Sequence, residues 1–328
     1  MRAAWFEKFG AAADVLKVGE FETPQAGPGE VLVRLHTSGV NPSDVKKRAG
    51  SFPNLLDDGP VIPNSDGAGT IEAVGEGVPA NRVGKRVWIY QAQFERRHGT
   101  AAQYVAIASE RATYLPDNTN FDVGACLGIP AMTAHRCVFA DGNVDGQNIL
   151  VTGGAGRVGF YAVQWASQAG ATVIATASNK DDADACIAAG AHKIVDHRDE
   201  NCAQAILDAS DGELLDRIID VEFGANLQTS IEVIRTGGVI ATYSSMLDAQ
   251  PKLPFFQMMY KDLTIRFVIV YAMPESAKQF AIADIERALS ADQLQHRIAQ
   301  TFPLDDIVKS NELVEQSGVR GSVIVRID

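Results

Sequence analysis

The residues with the clearest chemical purpose are Gly154, Gly156 and Gly159. They form a G-x-G-x-x-G series after the apolar run Asn148-Ile149-Leu150-Val151-Thr152 and before a stretch that sets Val158, Ala162, Ala166 and Ala169 on one helical face. Such glycines allow a tight turn, close approach of the backbone to a pyrophosphate, and close packing of helix on strand, with the helix N-terminus facing the phosphates. A glycine series alone is also found in ordinary turns; the strand before it and the helix after it are the context a dinucleotide site requires. Selectivity for a ribose 2′-hydroxyl usually comes from an acid about 20 residues on, at the end of the next strand. Here that strand ends Thr176-Ala177-Ser178-Asn179-Lys180, and the first carboxylate is Asp181. Ser178 and Lys180 offer donors to a 2′-phosphate, so NADPH is expected in preference to NADH. Arg157, inside the loop, either adds a cation beside the phosphates or is an exposed arginine at a helix start.

The elements that must position this loop begin near residue 123. β-Branched runs at 148–152, 172–177, 193–196, 217–221, 238–243 and 263–270 alternate with amphipathic stretches, which Gly170, Gly190 and Gly237 are placed to close. Strands alternating with helices predict a parallel, doubly wound sheet. The first third differs. Gly27-Pro28-Gly29-Glu30 opens an alternating run with Val31, Val33 and Leu35 on one face, and short strands at 69–74 and 86–90 follow between Gly75, Gly77 and Gly84. Strands without intervening helices suggest a small barrel or sandwich. A helix at 275–290 and a strand at 322–327 close the chain in the manner of its first third.

Composition bounds the partners. The chain has 328 residues, 29 Lys+Arg against 41 Asp+Glu and a formal net charge of −12, a length that suggests two domains. A surface that follows phosphates or lies on an anionic membrane needs clustered cations, so neither nucleic acid nor membrane is an expected partner. The longest apolar run, 267–273, is far short of the ~20 residues of a spanning helix. Residues 1–10 hold Glu7 and Lys8 and no apolar core of a signal peptide. Cys126, Cys137, Cys186 and Cys202 have neither disulfide-framework nor zinc spacing, which fits a cytoplasmic protein.

Several separated stretches resemble the medium-chain dehydrogenase/reductase superfamily, and within it the zinc-independent, zeta-crystallin-like quinone oxidoreductases. They are Gly39-Val40-Asn41-Pro42, Pro63-Asn64-Ser65-Asp66-Gly67-Ala68-Gly69 leading to Glu72-Ala73-Val74-Gly75, Gly128-Ile129-Pro130-Ala131-Met132-Thr133-Ala134, the glycine series, Gly190-Ala191-His192 through His197-Arg198, and Gly318-Val319-Arg320-Gly321. Together they span essentially the whole chain in order. The resemblance implies an α/β fold: a Rossmann doubly wound parallel sheet at 123–267, and a GroES-like, mostly-β catalytic domain assembled from 1–122 and 268–328, with the active cleft between the two. It also implies a homodimer joined through the last Rossmann strand, an apolar edge that would otherwise invite aggregation.

Zinc-dependent members of the superfamily carry a Cys-His pair, a Gly-His-Glu stretch and a further Cys. At the first two places this chain has Asn41-Pro42 and Asn64-Ser65-Asp66; near the third, Cys126 stands without partners. A catalytic zinc needs three protein ligands, so none is expected. Without a Lewis acid, ordinary alcohols are difficult substrates, whereas a quinone or an activated alkene delocalises the charge that hydride transfer creates. The expected activity is NADPH:quinone oxidoreduction. Rivals are an enone or alkenal reductase on the same fold, and a cofactor-binding structural protein of the crystallin kind.

Carried over residue by residue, the resemblance assigns the pyrophosphate to Ala155, Gly156, Arg157 and Val158, and the 2′-phosphate to Ser178, Lys180 and His197. Asn226, Tyr243, Ser244, Ser245, Phe267, Val268 and Ile269 would line the adenosine and nicotinamide halves, with Asn41 and Thr133 on the nicotinamide or substrate side. Lys46 stands at a cofactor-contact position where relatives often have tyrosine. Read on their own, several of these residues have blander uses. His197 could be a surface histidine, Asn41 a turn residue before proline, and Tyr90, the other catalytic candidate, a proton donor or an aromatic packed in the core. Asp66 is read as a local hydrogen-bonding residue, and the cluster Phe255, Phe256, Met258, Met259 and Tyr260 as core or dimer packing.

Overall fold

The computed structural model describes residues 1–316 and 318–327. Its first strands, β1 (Arg2–Trp5) and β2 (Lys17–Glu20), pair antiparallel around the short helix α1 (Ala12–Val15). The spine of this region is β3 (Glu30–Val40), where Val31, Val33 and Leu35 point into the core as the alternation requires. Asn41 then caps α2 (Pro42–Arg48), with Pro42 at the first helical position, where its missing N–H costs nothing. Next come β4 (Asp66–Val74), β5 (Arg86–Ile89), β6 (Tyr104–Ala108), β7 (Ala112–Tyr114) and α3 (Phe121–Gly124). β4 runs antiparallel along one edge of β3, β5 pairs with β4 and β7 with β5, while β6 takes residues 30–34 on the other edge of β3.

From α4 (Met132–Phe139) the pattern becomes alternating. β8 (Asn148–Val151), α5 (Arg157–Gln168), β9 (Thr172–Thr176), α6 (Lys180–Ala188), β10 (Lys193–Val195), α7 (Cys202–Ala209), β11 (Leu215–Asp220), α8 (Phe223–Val233), β12 (Ile234–Thr242), α9 (Phe255–Tyr260) and β13 (Thr264–Phe267) follow in turn. The six strands are all parallel, in the order β10-β9-β8-β11-β12-β13. The chain winds outward from β8 and then returns to its other side at β11. The carboxyl ends of β8 and β11 therefore flank the switch point where open sheets of this class bind ligands.

Three expectations change. The last strand is four residues long rather than eight, and a 3₁₀ turn follows at Val270–Ala272. Its partner among the described residues, β12, ends at Thr242, and beyond Phe267 the pairing continues as the Val268 N–H bond to the Thr242 carbonyl. Gly237 closes no helix: it lies inside β12, whereas Gly170 and Gly190 follow helix ends with φ of +87° and +107°. Helix α5 is buried all round from Gly159 to Ala166 instead of on one face.

After β13 come α10 (Glu275–Ser290), β14 (Ile298–Pro303), α11 (Ile307–Glu315) and β15 (Ser322–Arg326). β15 pairs antiparallel with residues 37–40 of β3, on the edge that β6 occupies further back, and β14 runs parallel beside β15. The result is a seven-stranded mixed sheet. The chain divides into two compact units, Met1–Ile129 with Ile282–Asp328, and Pro130–Ala281. Sequence pattern put the crossings at 122/123 and 267/268. In the structure the second crossing, 281/282, falls inside α10, a continuous helix without glycine or proline, so no break in composition marks it. Among the described residues no helix is long and apolar enough to cross a membrane.

Candidate active site

The glycine loop leaves β8 through Thr152, whose hydroxyl donates to Asp220 Oδ1 (2.7 Å) and accepts from the Val221 N–H (2.9 Å). The Gly153 N–H donates to Thr176 Oγ1 (2.9 Å) and the Gly154 N–H to the Thr176 carbonyl (3.1 Å), so the loop is sewn to the end of β9. A Cβ at Gly154 would lie 2.8 Å from Ala175 Cβ, and one at Gly159 would lie 2.3 Å from the Gly153 carbonyl oxygen. Both positions demand glycine for packing. Gly156 is the N-cap of α5 and has no side chain to satisfy the first-turn donors. An α-helix of this length presents roughly half a positive charge there, with N–H groups pointing outward, which suits an anion. Ala155 is buried, while Arg157 and Val158 are half-buried at the helix start.

β9 and β10 leave the sheet side by side and bring Ser178 near His197-Arg198. Lys180 is tied to Asp184 in its own helix at 2.5 Å and is 83% exposed. His197 is exposed just beyond β10. Arg198, to which sequence reasoning gave no role, donates from Nη2 to the Ser178 carbonyl and to Asp196 Oδ2 (2.8 Å), and from Nε to Asp196 Oδ1 (3.1 Å). Those bonds hold the Asp196 carboxyl down at about 2. The signal was present: Arg198 adjoins His197 in one of the matching stretches.

At the ends of β12 and β13 a cleft of about 460 Å³ is lined by Tyr243, Ser244 and Ser245 on one side and Phe267, Val268 and Ile269 on the other, which brings those six candidates together. Phe223, Thr242, Ala249, Pro251 and Leu253 complete its wall and were not anticipated. Ser245 Oγ accepts from the Gly224 N–H (2.9 Å), and Phe223 and Phe267 meet edge to face at 5.5 Å. Burial raises the Tyr243 hydroxyl well above the usual tyrosine range, so it stays protonated. Asn226 donates from Nδ2 to Asp220 Oδ1 (2.8 Å), which also accepts from the Glu222 N–H (3.0 Å). Asp220 Oδ2 is buried without a partner at the switch point. An unsatisfied buried acceptor beside a glycine cradle and an uncapped helix fits a hydroxyl-rich dinucleotide. Asp220 and Thr152 were both missed, because nothing in a strand-end Asp or Thr marks it before the strands are placed.

Thr133 is buried on α4, outside the lining of that cleft. The C-terminal end of α4 is held by Asp141, which accepts from Arg217 Nη1 (3.2 Å) and from Arg266 Nε (2.8 Å) and Nη2. Hydrogen bonds from Arg266 hold the Asp141 carboxyl low.

The remaining candidates lie in the other unit. Asn41 is only 4% exposed, and both ends of its amide are engaged. Nδ2 donates to Asp66 Oδ2 (2.9 Å), the oxygen accepts from the N–H of Asp44 in a capping box, and Asp44 Oδ2 accepts from the Asn41 N–H (2.9 Å). Asp66 is wholly buried, also accepts from the Ile129 N–H (2.8 Å), and keeps Oδ1 unpartnered against Gly128. Burial pushes its carboxyl up to about 8. Burial likewise raises Asp44 and lowers Lys47, which outweighs their attraction and moves the cluster toward neutrality. Lys47, not Lys46, is the inward lysine: its Nζ donates to Ser65 Oγ (3.3 Å) and the Gln93 carbonyl (2.6 Å), while Lys46 lies on the exposed face of α2. Tyr90 lies in the core beside Trp88, its hydroxyl donating to the Glu110 carbonyl at 3.3 Å, which favours the packing role over proton donation. Cys126 is buried, with its thiol directed to the Asp122 carbonyl, and among the described residues no group of three His, Cys, Asp or Glu side chains is arranged to hold a metal.

Two family models match the chain: the alcohol dehydrogenase GroES-like domain over residues 27–117 and the zinc-binding dehydrogenase over 158–287. The quinone oxidoreductase of Homo sapiens is 29% identical over 332 residues, covering 99% of this chain and 97% of the human protein. An NAD-dependent alcohol dehydrogenase of known structure is 26% identical with a TM-score of 0.86, covering 100% of both chains. The Escherichia coli quinone oxidoreductase complexed with NADPH shares the fold, with a TM-score of 0.87 at 21% identity over 99% of this chain and 100% of that one. Glycine cradle, parallel sheet, GroES-like unit and full-length likeness agree: the chain is an oxidoreductase that carries both domains of the medium-chain dehydrogenase/reductase superfamily and is similar over its whole length to quinone oxidoreductases.

Proposed function

We propose that this protein reduces quinones with NADPH and needs no zinc to do so. The observation that carries the reading is the convergence, on the carboxyl edge of one parallel sheet, of the glycine cradle, the uncapped start of α5, the orphaned Asp220 Oδ2 and the largely apolar cleft after β12 and β13. The α5 N-terminus with Ala155 to Val158 binds the pyrophosphate. Ser178 and its neighbours take the 2′-phosphate, and Asp220 is available to a ribose hydroxyl. Tyr243, Ser244, Ser245, Phe267, Val268 and Ile269 shield the rest of the dinucleotide from water.

Bound NADPH supplies a hydride. The protein's own part is positioning, an effect that can contribute roughly 7 to 11 kcal/mol without a metal or a charged catalyst. In the first unit Asn41 keeps an amide hydrogen beyond the one given to Asp66, a donor suited to an acceptor oxygen; in the other unit Thr133 carries a hydroxyl donor. The product proton comes from solvent. Against zinc stand the side chains themselves: Asn41 and Ser65 occupy positions where zinc-dependent relatives supply thiolate and imidazole, and amide and hydroxyl groups are poor substitutes. The open edge of β13, with Phe267 72% exposed, supports a homodimer, and the spacing of the four cysteines, which forms no disulfide framework, fits a cytoplasmic location.

The test is NADPH oxidation followed with 1,4-benzoquinone, 9,10-phenanthrenequinone and a linear enal, with and without chelator. Quinone turnover insensitive to chelator is expected. Turnover with the enal alone would replace quinones by activated alkenes as substrates, and chelator-sensitive alcohol oxidation would remove the zinc-free reading.

A further inference from the structure

We propose that Arg198, rather than Lys180, selects for the 2′-phosphate, its guanidinium being held in place by the Ser178 carbonyl and Asp196. This rests on the NADPH reading above and deepens it. Thr176 and Val195 are register partners in the parallel pair β9 and β10, and the Ala177 N–H bonds to the Val195 carbonyl, so the two strands release Ser178 and Arg198 at neighbouring points of the carboxyl edge. That is where dinucleotide-binding sheets read the ribose 2′ substituent.

Three observations separate the two cations. First, the guanidinium is fixed. Nη2 reaches across to the Ser178 carbonyl, Nε and Nη2 bond Asp196 at 3.1 and 2.8 Å, and the Arg198 N–H adds a 2.9 Å bond to the same carboxylate. A planar fork held from one side presents its remaining donor in a set direction, which a flexible ammonium does not. Second, that donor is unspent: among the described residues Nη1 of Arg198, Oγ of Ser178 and the His197 ring make no hydrogen bond, and all three stand at this one edge. Third, Lys180 is locally cancelled. It is 83% exposed and pairs with Asp184 one turn further along α6, and among the described residues no bond to Ser178 or to β10 holds it at this edge.

The same geometry disfavours a cofactor without the phosphate. A ribose 2′-hydroxyl is usually held by a carboxylate at this edge, and Asp196, joined to Ser178 through Arg198, already accepts from Arg198 on both oxygens.

The experiment is isothermal titration calorimetry with adenosine 2′,5′-bisphosphate and with adenosine 5′-monophosphate, on the wild-type protein and on Arg198→Ala, Arg198→Lys and Lys180→Ala. Loss of charge-assisted hydrogen bonds predicts that Arg198→Ala weakens the bisphosphate about 10- to 100-fold and the monophosphate less than about twofold. Arg198→Lys, which keeps the charge and loses the fork, falls between, and Lys180→Ala changes neither ligand by more than about threefold. If the wild-type protein prefers the bisphosphate and Arg198→Ala retains that preference, the assignment is overturned while the NADPH reading stands. If the wild-type protein shows no preference, both fail together. Equal loss of both ligands would reduce Arg198 to a structural staple and likewise overturn the proposal.

Discussion

Replacing Asp66 by asparagine tests the buried cluster most directly, because the substitution keeps shape and removes only the ability to ionise. The folded-state value of about 8 lies far above the ordinary 3.8, with burial the main cause. Between those values the folded protein retains a proton that the unfolded chain has released. Stability contributed at this position is thus fully present in acid, below the unfolded value, and is lost as pH rises toward 8. The slope is about 1.4 kcal/mol per pH unit, and it does not depend on where the upper limit falls, provided that limit stays above the range measured. At pH 5 wild-type Asp66 is neutral in the folded state, so Asp66→Asn should cost no more than about 1 kcal/mol, the scale of one altered hydrogen bond. By pH 7 the stability of the variant relative to wild type should have risen by about 3 kcal/mol. Lys47, whose value burial lowers from 10.5, acts with the opposite sign in the alkaline range, which is why the comparison stops at pH 7. Urea unfolding at pH 5, 6 and 7, followed by tryptophan fluorescence, measures the difference. Parallel stability curves for the two proteins would show that Asp66 is already ionised and would refute the neutral cluster.

Gly159→Ala places a methyl group 2.3 Å from the Gly153 carbonyl oxygen, where only backbone is available to yield. Destabilisation of about 1–3 kcal/mol is expected, together with at least tenfold weaker NADPH binding by fluorescence titration, roughly the effect of displacing one cradle donor. Asp141→Asn leaves the buried Arg217 guanidinium poorly compensated and should lower stability by about 3 kcal/mol in urea, the range for breaking a buried pair. Phe267→Asp, at the open edge of β13, should convert the proposed homodimer into monomers by light scattering; an unchanged mass would place the subunit contact elsewhere.

The glycine cradle was legible because close backbone approach excludes every other residue, so three positions carry the whole signal. The parallel sheet was legible because its strands are apolar enough to stand out between amphipathic helices. Helix α2 shows the limit. Its inward face carries Asp44, Val45, Lys47 and Arg48, three of them charged, so hydropathy does not mark that face; Lys46 is singled out by its position in the family pattern and lies on the exposed face. Burial of Asp44 and Lys47 depends on Asn41, Ser65, Asp66 and Gln93, which are brought together only when β4 lies along β3 and the segment after β5 folds back, and burial of Arg48 on Gly10, Asn311 and Glu315. The length of β13 was illegible for a related reason. Its residues favour a longer strand, but a strand extends only as far as its partner, and β12 stops at Thr242. Arg198 was overlooked because its partner Ser178 lies 20 residues away and answers with a backbone carbonyl, a group every residue has.

The edge of β3 shared by β6 and β15 imposes an order of events on synthesis. Once residue 267 has left the ribosome, all six strands of the parallel sheet exist and that unit can close. The unit begun first must wait longest: residues 37–40, which lead into Asn41, stay unpaired on one edge until Ser322–Arg326 arrives. Through most of translation the segment that orients Asn41 is therefore an exposed β edge in need of protection from other nascent chains. A protein shortened by only its last few residues would retain the dinucleotide cradle and lose the strand that closes the other unit's sheet.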